Sequence, residues 1–188
     1  MKTVPNIIID IPSSVQTTDY SCGAAALRSV AKYYRINVGN SKEFMDFCAT
    51  GIKKGTHPED ILYAALALGF NAKLKTNMSM NQLLGHIKKK QPVICAIQAY
   101  GTRETYEQLL DGHYVIAIGY DKDFIYTEDP SLKGARGKIE RKDFLARWID
   151  RESYVENPIK YRLGIVIESH ETKKPTNKQI LNRVKLVQ

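Results

Sequence analysis

The chain has 188 residues, 43% of them hydrophobic and 26% charged, the balance of a globular protein rather than of a disordered one. No apolar run approaches the roughly 20 residues that span a bilayer, and Met1 to Asp10 holds one lysine and a run of only three isoleucines, too short for a secretory core. The net charge of +8 divides into +4 on residues 171–188 and +4 on residues 1–170, so the basic balance is no reason to expect a nucleic-acid partner.

Residues 1–21 read as extended or looped, with Pro5 and Pro12 as breakers. Ser21 to Arg35 reads as a first helix, with Ala26, Val30, Tyr33 and Tyr34 at helical spacing and Ser21 in position to cap it. Ser41 to Ala49 reads as a second, with Ser41 as cap and Phe44, Phe47 and Cys48 on one face. Thr56, Pro58 and Glu59 have the pattern of N-cap, early proline and capping-box acid for a third helix, which stops at Gly69. Phe70 to Lys75 is a short strand, and Ser79 to Lys90 a fourth helix whose three terminal lysines complement its dipole. After Pro92 the character changes. Val93–Ala99, His113–Tyr120, Phe124–Glu128 and Tyr161–Glu168 are β-rich runs between Gly, Asp and Pro signals, and Lys142–Asp150 carries Phe144, Leu145 and Trp148 on a helical turn. Helices first and a mostly antiparallel sheet later give an α+β fold. The sequence reads as one domain over residues 1–170 and a basic tail over 171–188. Ile180, Leu181, Val184 and Val187 offer that tail a short helix, packed on its own domain or lying on a membrane surface or partner.

Metal and nucleotide chemistry lack their patterns. Gly134-Ala135-Arg136-Gly137-Lys138 has neither the spacing nor the Ser/Thr of a phosphate loop. CxxC and HExxH are absent, and His57, His86, His113 and His170 show no ligand spacing, so no metal and no cofactor are expected. Three cysteines, an odd and low count, argue against a disulfide framework, and Met1 to Asp10 reads as the mature start of a cytoplasmic protein. Cys48 and Cys95 sit within apolar patterns and read as core thiols. Cys22 opens the first helix, where unpaired N–H groups and the positive end of the dipole favour a thiolate, and Gly23 beside it leaves room for a substrate backbone. Position alone leaves Cys22 readable either as a nucleophile or as a buried thiol.

A thiol nucleophile needs a base, and the base an orienting group. His113 heads a strand, and Asp129 ends the next, so a hairpin would make them neighbours. Glu128 is the rival orienter, because side chains alternate along a strand and only one of the two can face His113. Gln16, six residues before Cys22, could join the Cys22 N–H in holding an oxyanion. Glu104, Tyr106 and Glu107, which precede the His113 strand, are candidates to line the cleft.

Gln16 with Asp19-Tyr20-Ser21-Cys22-Gly23-Ala24-Ala25-Ala26-Leu27, then Asp111-Gly112-His113-Tyr114-Val115-Ile116-Ala117-Ile118-Gly119-Tyr120, then Asp129-Pro130-Ser131, resembles the bacteriocin-processing (double-glycine leader) cysteine peptidases and their C39-like relatives in the papain-like superfamily. Gly55-Thr56 with the helix ending at Gly69, Gln91-Pro92-Val93-Ile94, and Phe144-Leu145 with Trp148 extend the likeness over about residues 10–168. The resemblance implies a papain-like peptidase fold. It implies Cys22 as nucleophile, His113 as base, Asp129 as the residue orienting His113 and Gln16 as the oxyanion side chain. It also implies a peptide or protein substrate cleaved at a peptide or isopeptide bond. The best-known members are N-terminal parts of ATP-binding-cassette exporters, whereas this chain is expected to stand alone, with no fused transporter and no membrane span. Two alternatives accompany the peptidase reading: an acyl or γ-glutamyl transferase with the same dyad, and a non-catalytic peptide-binding module.

Overall fold

The apolar runs that follow Pro92 form the middle of a sheet. In the computed structural model, which describes residues 7–151, 159–169 and 184–186, β3 (Val93–Gln98) and β4 (Gly112–Tyr120) pair antiparallel with Ile97 opposite His113. All of β3 is buried, as is β4 from His113 to Gly119. Strands covered on both faces need continuous apolar runs rather than alternation. β5 (Phe124–Glu128) and β6 (Arg136–Glu140) extend the sheet beyond β4, and β9 (Gly164–Glu168) and β2 (Asn71–Lys75) extend it beyond β3, all antiparallel. β1 (Ile7–Ile8) also pairs with β4, where a Cβ on Gly119 would lie 2.6 Å from the Ile7 carbonyl oxygen, so only glycine admits the crossing. β7 (Ile149–Arg151) and β8 (Ile159–Tyr161) form a separate two-stranded ribbon.

The helices cover this sheet. α1 (Cys22–Tyr33) lies against β4, with α2 (Ser41–Phe47) and α3 (Pro58–Ala67) packed on it. α4 (Met80–Lys88) meets β3 and β4, and α5 (Arg141–Arg147) meets β3, β5 and β6. Leu27, Val30 and Ala31 of α1 join Ile94, Ile116 and Ile118 in one fully buried core. Each buried Leu, Ile or Val contributes about 1.5–3 kcal/mol by removal from water. The α+β arrangement is the one the sequence predicts.

Three local readings change. The cap of α2 is Asn40, whose side chain accepts from Glu43 N–H at 3.0 Å, not Ser41. α3 begins at Pro58 after an extended His57, and Thr56 is no cap: its hydroxyl pairs with that of Thr50 at 2.8 Å. Val184–Leu186 is a strand, β10, paired parallel with β6, with Val184 opposite Arg136. At those three residues the helix offered by spacing gives way to a ladder, because the outer edge of β6 presents backbone groups that a short β-prone segment satisfies. Residues 171–183 and 187–188 of the expected tail lie outside the described residues.

Candidate active site

Cys22 is the first residue of α1, and the turn before it is built by Ser21. Ser21 occupies the cap position but does not cap the helix. Its hydroxyl accepts from the N–H groups of Thr17 and Thr18, both at 3.1 Å, and donates to the Thr18 carbonyl at 3.0 Å. The first-turn N–H groups of a 12-residue helix are therefore left uncapped by its own N-cap side chain, beside the thiol. Gly23 is needed for packing and not for a substrate: a Cβ there would stand 2.9 Å from Thr56 Cβ and 3.0 Å from Ile61 Cδ1. The room that the sequence assigned to a substrate backbone is taken by Thr56 and by Ile61 of α3.

The β4–β5 pairing brings His113 and Asp129 together, Nε2 to Oδ1 at 2.8 Å. An ionised carboxylate has only acceptors, so Nε2 carries the hydrogen and donates it. Asp129 Oδ1 also accepts from Ser131 N–H at 2.8 Å and from the Ser131 hydroxyl at 2.7 Å. The Cys22 side chain lies near enough to the imidazole to raise its pKa. With Nε2 engaged by Asp129, Nδ1 is the nitrogen left for sulfur. Glu128 points away and meets Arg136 Nε at 2.9 Å. Arg136 itself is buried and reaches on to Asp10 and to the Ile11 carbonyl, both at 2.9 Å. Strand alternation thus sends one acid to the histidine and its neighbour to an internal ion pair.

Electrostatics follow from this geometry. Burial works to lower the pKa of His113, but hydrogen bonds and charge from Asp129 and Cys22 outweigh it and raise the group from its ordinary 6.5 to about 10. Burial likewise opposes ionisation of Asp129, yet the bonds and charge of His113, with the two Ser131 bonds, hold its carboxyl below the usual carboxylate range. Cys48 and Cys95 are fully buried, and desolvation pushes the first up to about 12 and the second further still. Both thiols stay protonated. Cys22, 7% exposed, lines the cleft.

Gln16 lines the same part of the cleft as His113. Its backbone N–H donates to the Pro130 carbonyl at 2.9 Å, which ties its loop to the one carrying Asp129. Its amide nitrogen donates one hydrogen to the Thr18 carbonyl at 3.2 Å and keeps a second. The cleft has two arms. One contains Cys22, Gly55, Tyr114 and Asp150; the other contains His113, Gln16, Tyr100 and Asp111; Asp19 and Gly112 border both.

Sequence reasoning misses the supports of this site. Arg136 was read only as part of a failed phosphate loop. Gln98 is buried, donating to the Ile149 carbonyl at 3.0 Å and accepting from Asp111 N–H at 3.0 Å. Arg147 bonds the Ala99 carbonyl, the Tyr106 hydroxyl and Asp143. Tyr106, expected in the cleft, is buried in that network instead, and Glu104 and Glu107 line neither arm. A polar residue at the end of an apolar strand, as Gln98 is, was the one available signal.

A family model described as the Peptidase_C39 like family matches residues 8–156. Among solved structures, a putative C39-like peptidase from Bacillus anthracis is 18% identical with a TM-score of 0.69, covering 90% of this chain and 100% of that one. The peptidase domain of Streptococcus ComA, a bi-functional ABC transporter involved in a quorum-sensing pathway, is 21% identical with a TM-score of 0.63, covering 84% and 98%. A double glycine motif protease from an AMS/PCAT transporter, in complex with the leader peptide, is 18% identical with a TM-score of 0.60, covering 86% and 94%. No curated protein matches the sequence. The solved structures share the helices-on-sheet, papain-like fold found here.

Proposed function

Because this chain belongs to the C39-like peptidase family, we propose that it is a cysteine peptidase that opens a peptide or isopeptide bond through a Cys22 thioester. The observation that carries the reading is the Asp129–His113 contact, 2.8 Å between carboxylate and imidazole, beside a Cys22 side chain near enough to raise the pKa of that ring. The sulfur attacks the scissile carbonyl carbon, and the carbonyl π pair moves onto oxygen. The oxyanion is held by the free Gln16 amide hydrogen and the Cys22 N–H. As the tetrahedral intermediate collapses, the C–N bond breaks and His113 gives its proton to the departing amine. Neutral His113 then removes a proton from water, the hydroxide adds to the thioester, and the C–S bond breaks to return thiolate and imidazolium. Asp129 orients the ring throughout and favours the imidazolium. One structurally similar protein binds a leader peptide, so an extended peptide is the ligand class expected here. The reducing cytoplasm keeps such a thiol active.

Iodoacetamide near neutral pH should label Cys22 and leave Cys48 and Cys95 untouched in the folded protein, read by peptide mass mapping. Cys22→Ser should abolish turnover of a peptide panel while the unfolding transition stays in place. Equal, slow labelling of all three thiols would overturn the reading. Adding an amine acceptor separates transfer from hydrolysis: a transferase accelerates, whereas a hydrolase releases the free acid at an unchanged rate.

A further inference from the structure

The two arms of the cleft are chemically unlike. His113 lines one and not the other, and Cys22 lines the opposite one. A group that must receive the His113 proton as it leaves has to sit on the His113 side. The acyl part bonded to sulfur sits on the Cys22 side. The Cys22 arm has mixed charge: Lys53 and Lys54 line it together with Asp19 and Asp150. Besides the His113 imidazolium, which Asp129 neutralises, the charged side chains of the His113 arm are Asp19 and Asp111, and no lysine or arginine is among the described residues lining it.

Several features make this arm more than a pair of surface acids. Asp111 is held by its backbone on both sides, its N–H donating to Gln98 Oε1 at 3.0 Å and its carbonyl accepting from Ala99 N–H at 2.8 Å. Gln98 is buried, so the carboxylate rises from a fixed base. Gln16, in the same arm, has its Oε1 buried with no hydrogen-bond partner among the described residues. Tyr100 and Leu110 rim the arm at 66% and 77% exposure. An aromatic face and an aliphatic side chain suit the stem of a lysine or arginine, with the charged end at the carboxylates.

We propose that the His113 arm is the leaving-group subsite and selects a cationic residue, lysine or arginine, immediately after the scissile bond. This rests on the cysteine-peptidase reading given above. Two partly exposed carboxylates attract a cation and repel an anion by modest amounts each, together on the order of tenfold between Lys and Glu at low salt. Raising ionic strength to about 0.5 M should compress that ratio.

The test is a random synthetic peptide library incubated with wild type, Cys22→Ala and Asp111→Lys, with newly formed N-termini read by mass spectrometry. The expected result is Cys22-dependent cleavage whose new N-termini are enriched about tenfold in Lys and Arg over Asp and Glu, with the enrichment lost or inverted in Asp111→Lys. Cleavage without that enrichment, or with enrichment untouched by Asp111→Lys, overturns the inference and leaves the peptidase reading standing. If no Cys22-dependent N-termini form, the peptidase reading fails, and methanethiosulfonate reagents of opposite charge decide the rest. Faster modification of Cys22 by the ethylammonium reagent than by the ethylsulfonate, reversed in Asp111→Lys, upholds the cation-selective arm; equal rates refute it.

Discussion

Replacing Asp129 by asparagine isolates the charge that orients the base. His113 rises from an ordinary 6.5 to about 10, which at about 1.4 kcal/mol per pH unit is roughly 5 kcal/mol in favour of imidazolium. That preference is net of burial and is shared between Asp129 and Cys22. Asparagine keeps the shape and can still accept from Nε2, but it carries no charge. If about half the support goes, the titration of His113 falls by roughly two pH units. Ring-labelled histidine NMR reads this directly, with His113→Gln to assign the signal, and the basic limb of kcat/KM should move by the same amount because the leaving amine needs the imidazolium. Stability follows the same linkage. The native pKa of His113 lies above its unfolded one, so its contribution is complete below about pH 6.5 and is lost as pH rises through about 10. Asp129 is displaced the other way, so its contribution is present above the ordinary carboxylate value and is lost as pH falls through the depressed one. The wild-type advantage in urea unfolding should therefore be widest near about pH 6 and shrink towards about pH 10. A wild-type His113 that titrates near 6.5, or one that titrates identically in the two proteins, refutes the reasoning.

Gln16→Ala should lower kcat by about 10²–10³ with KM little changed, since its free amide hydrogen meets charge only as the oxyanion develops; steady-state kinetics in which KM carries the whole loss would remove it from that role. Gly23→Ala drives a methyl to 2.9 Å from Thr56 Cβ and should cost about 1–3 kcal/mol in denaturant unfolding; the cost should be smaller in a Thr56→Gly background, which lacks that Cβ. Arg136→Met removes the guanidinium from the buried Glu128 carboxylate and should cost about 3–5 kcal/mol by thermal or urea melts; Glu128→Gln on that background should restore part of the loss.

How far the sequence reached depended on whether a residue's partners were near in pattern. Cys22 at a helix start, and His113 with Asp129 at the meeting ends of two strands, follow from local rules, and the choice between Asp129 and Glu128 needed only to know which face His113 occupies. Gly23 was misread because its partner, Thr56, lies on a segment whose packing no local spacing reveals. β6 went unnoticed because Arg136, Gly137, Lys138 and Glu140 leave Ile139 as its one aliphatic residue of any size. Arg136 is among the largest fully buried side chains, and burial of a guanidinium follows only from knowing that Glu128 and Asp10 converge on it. The short strand at Val184–Leu186 has too few residues to show a period, so its neighbours' helical spacing dominated the reading.

The N-terminal segment closes on the far end of the chain. Gln16 is fastened to Pro130, and Asp10 to Arg136 across 126 residues. In synthesis Cys22 emerges early, yet Gln16 and Asp10 meet their partners only once Pro130 and Arg136 have followed. Synthesis thus separates the appearance of Cys22 from the assembly of the cleft around it.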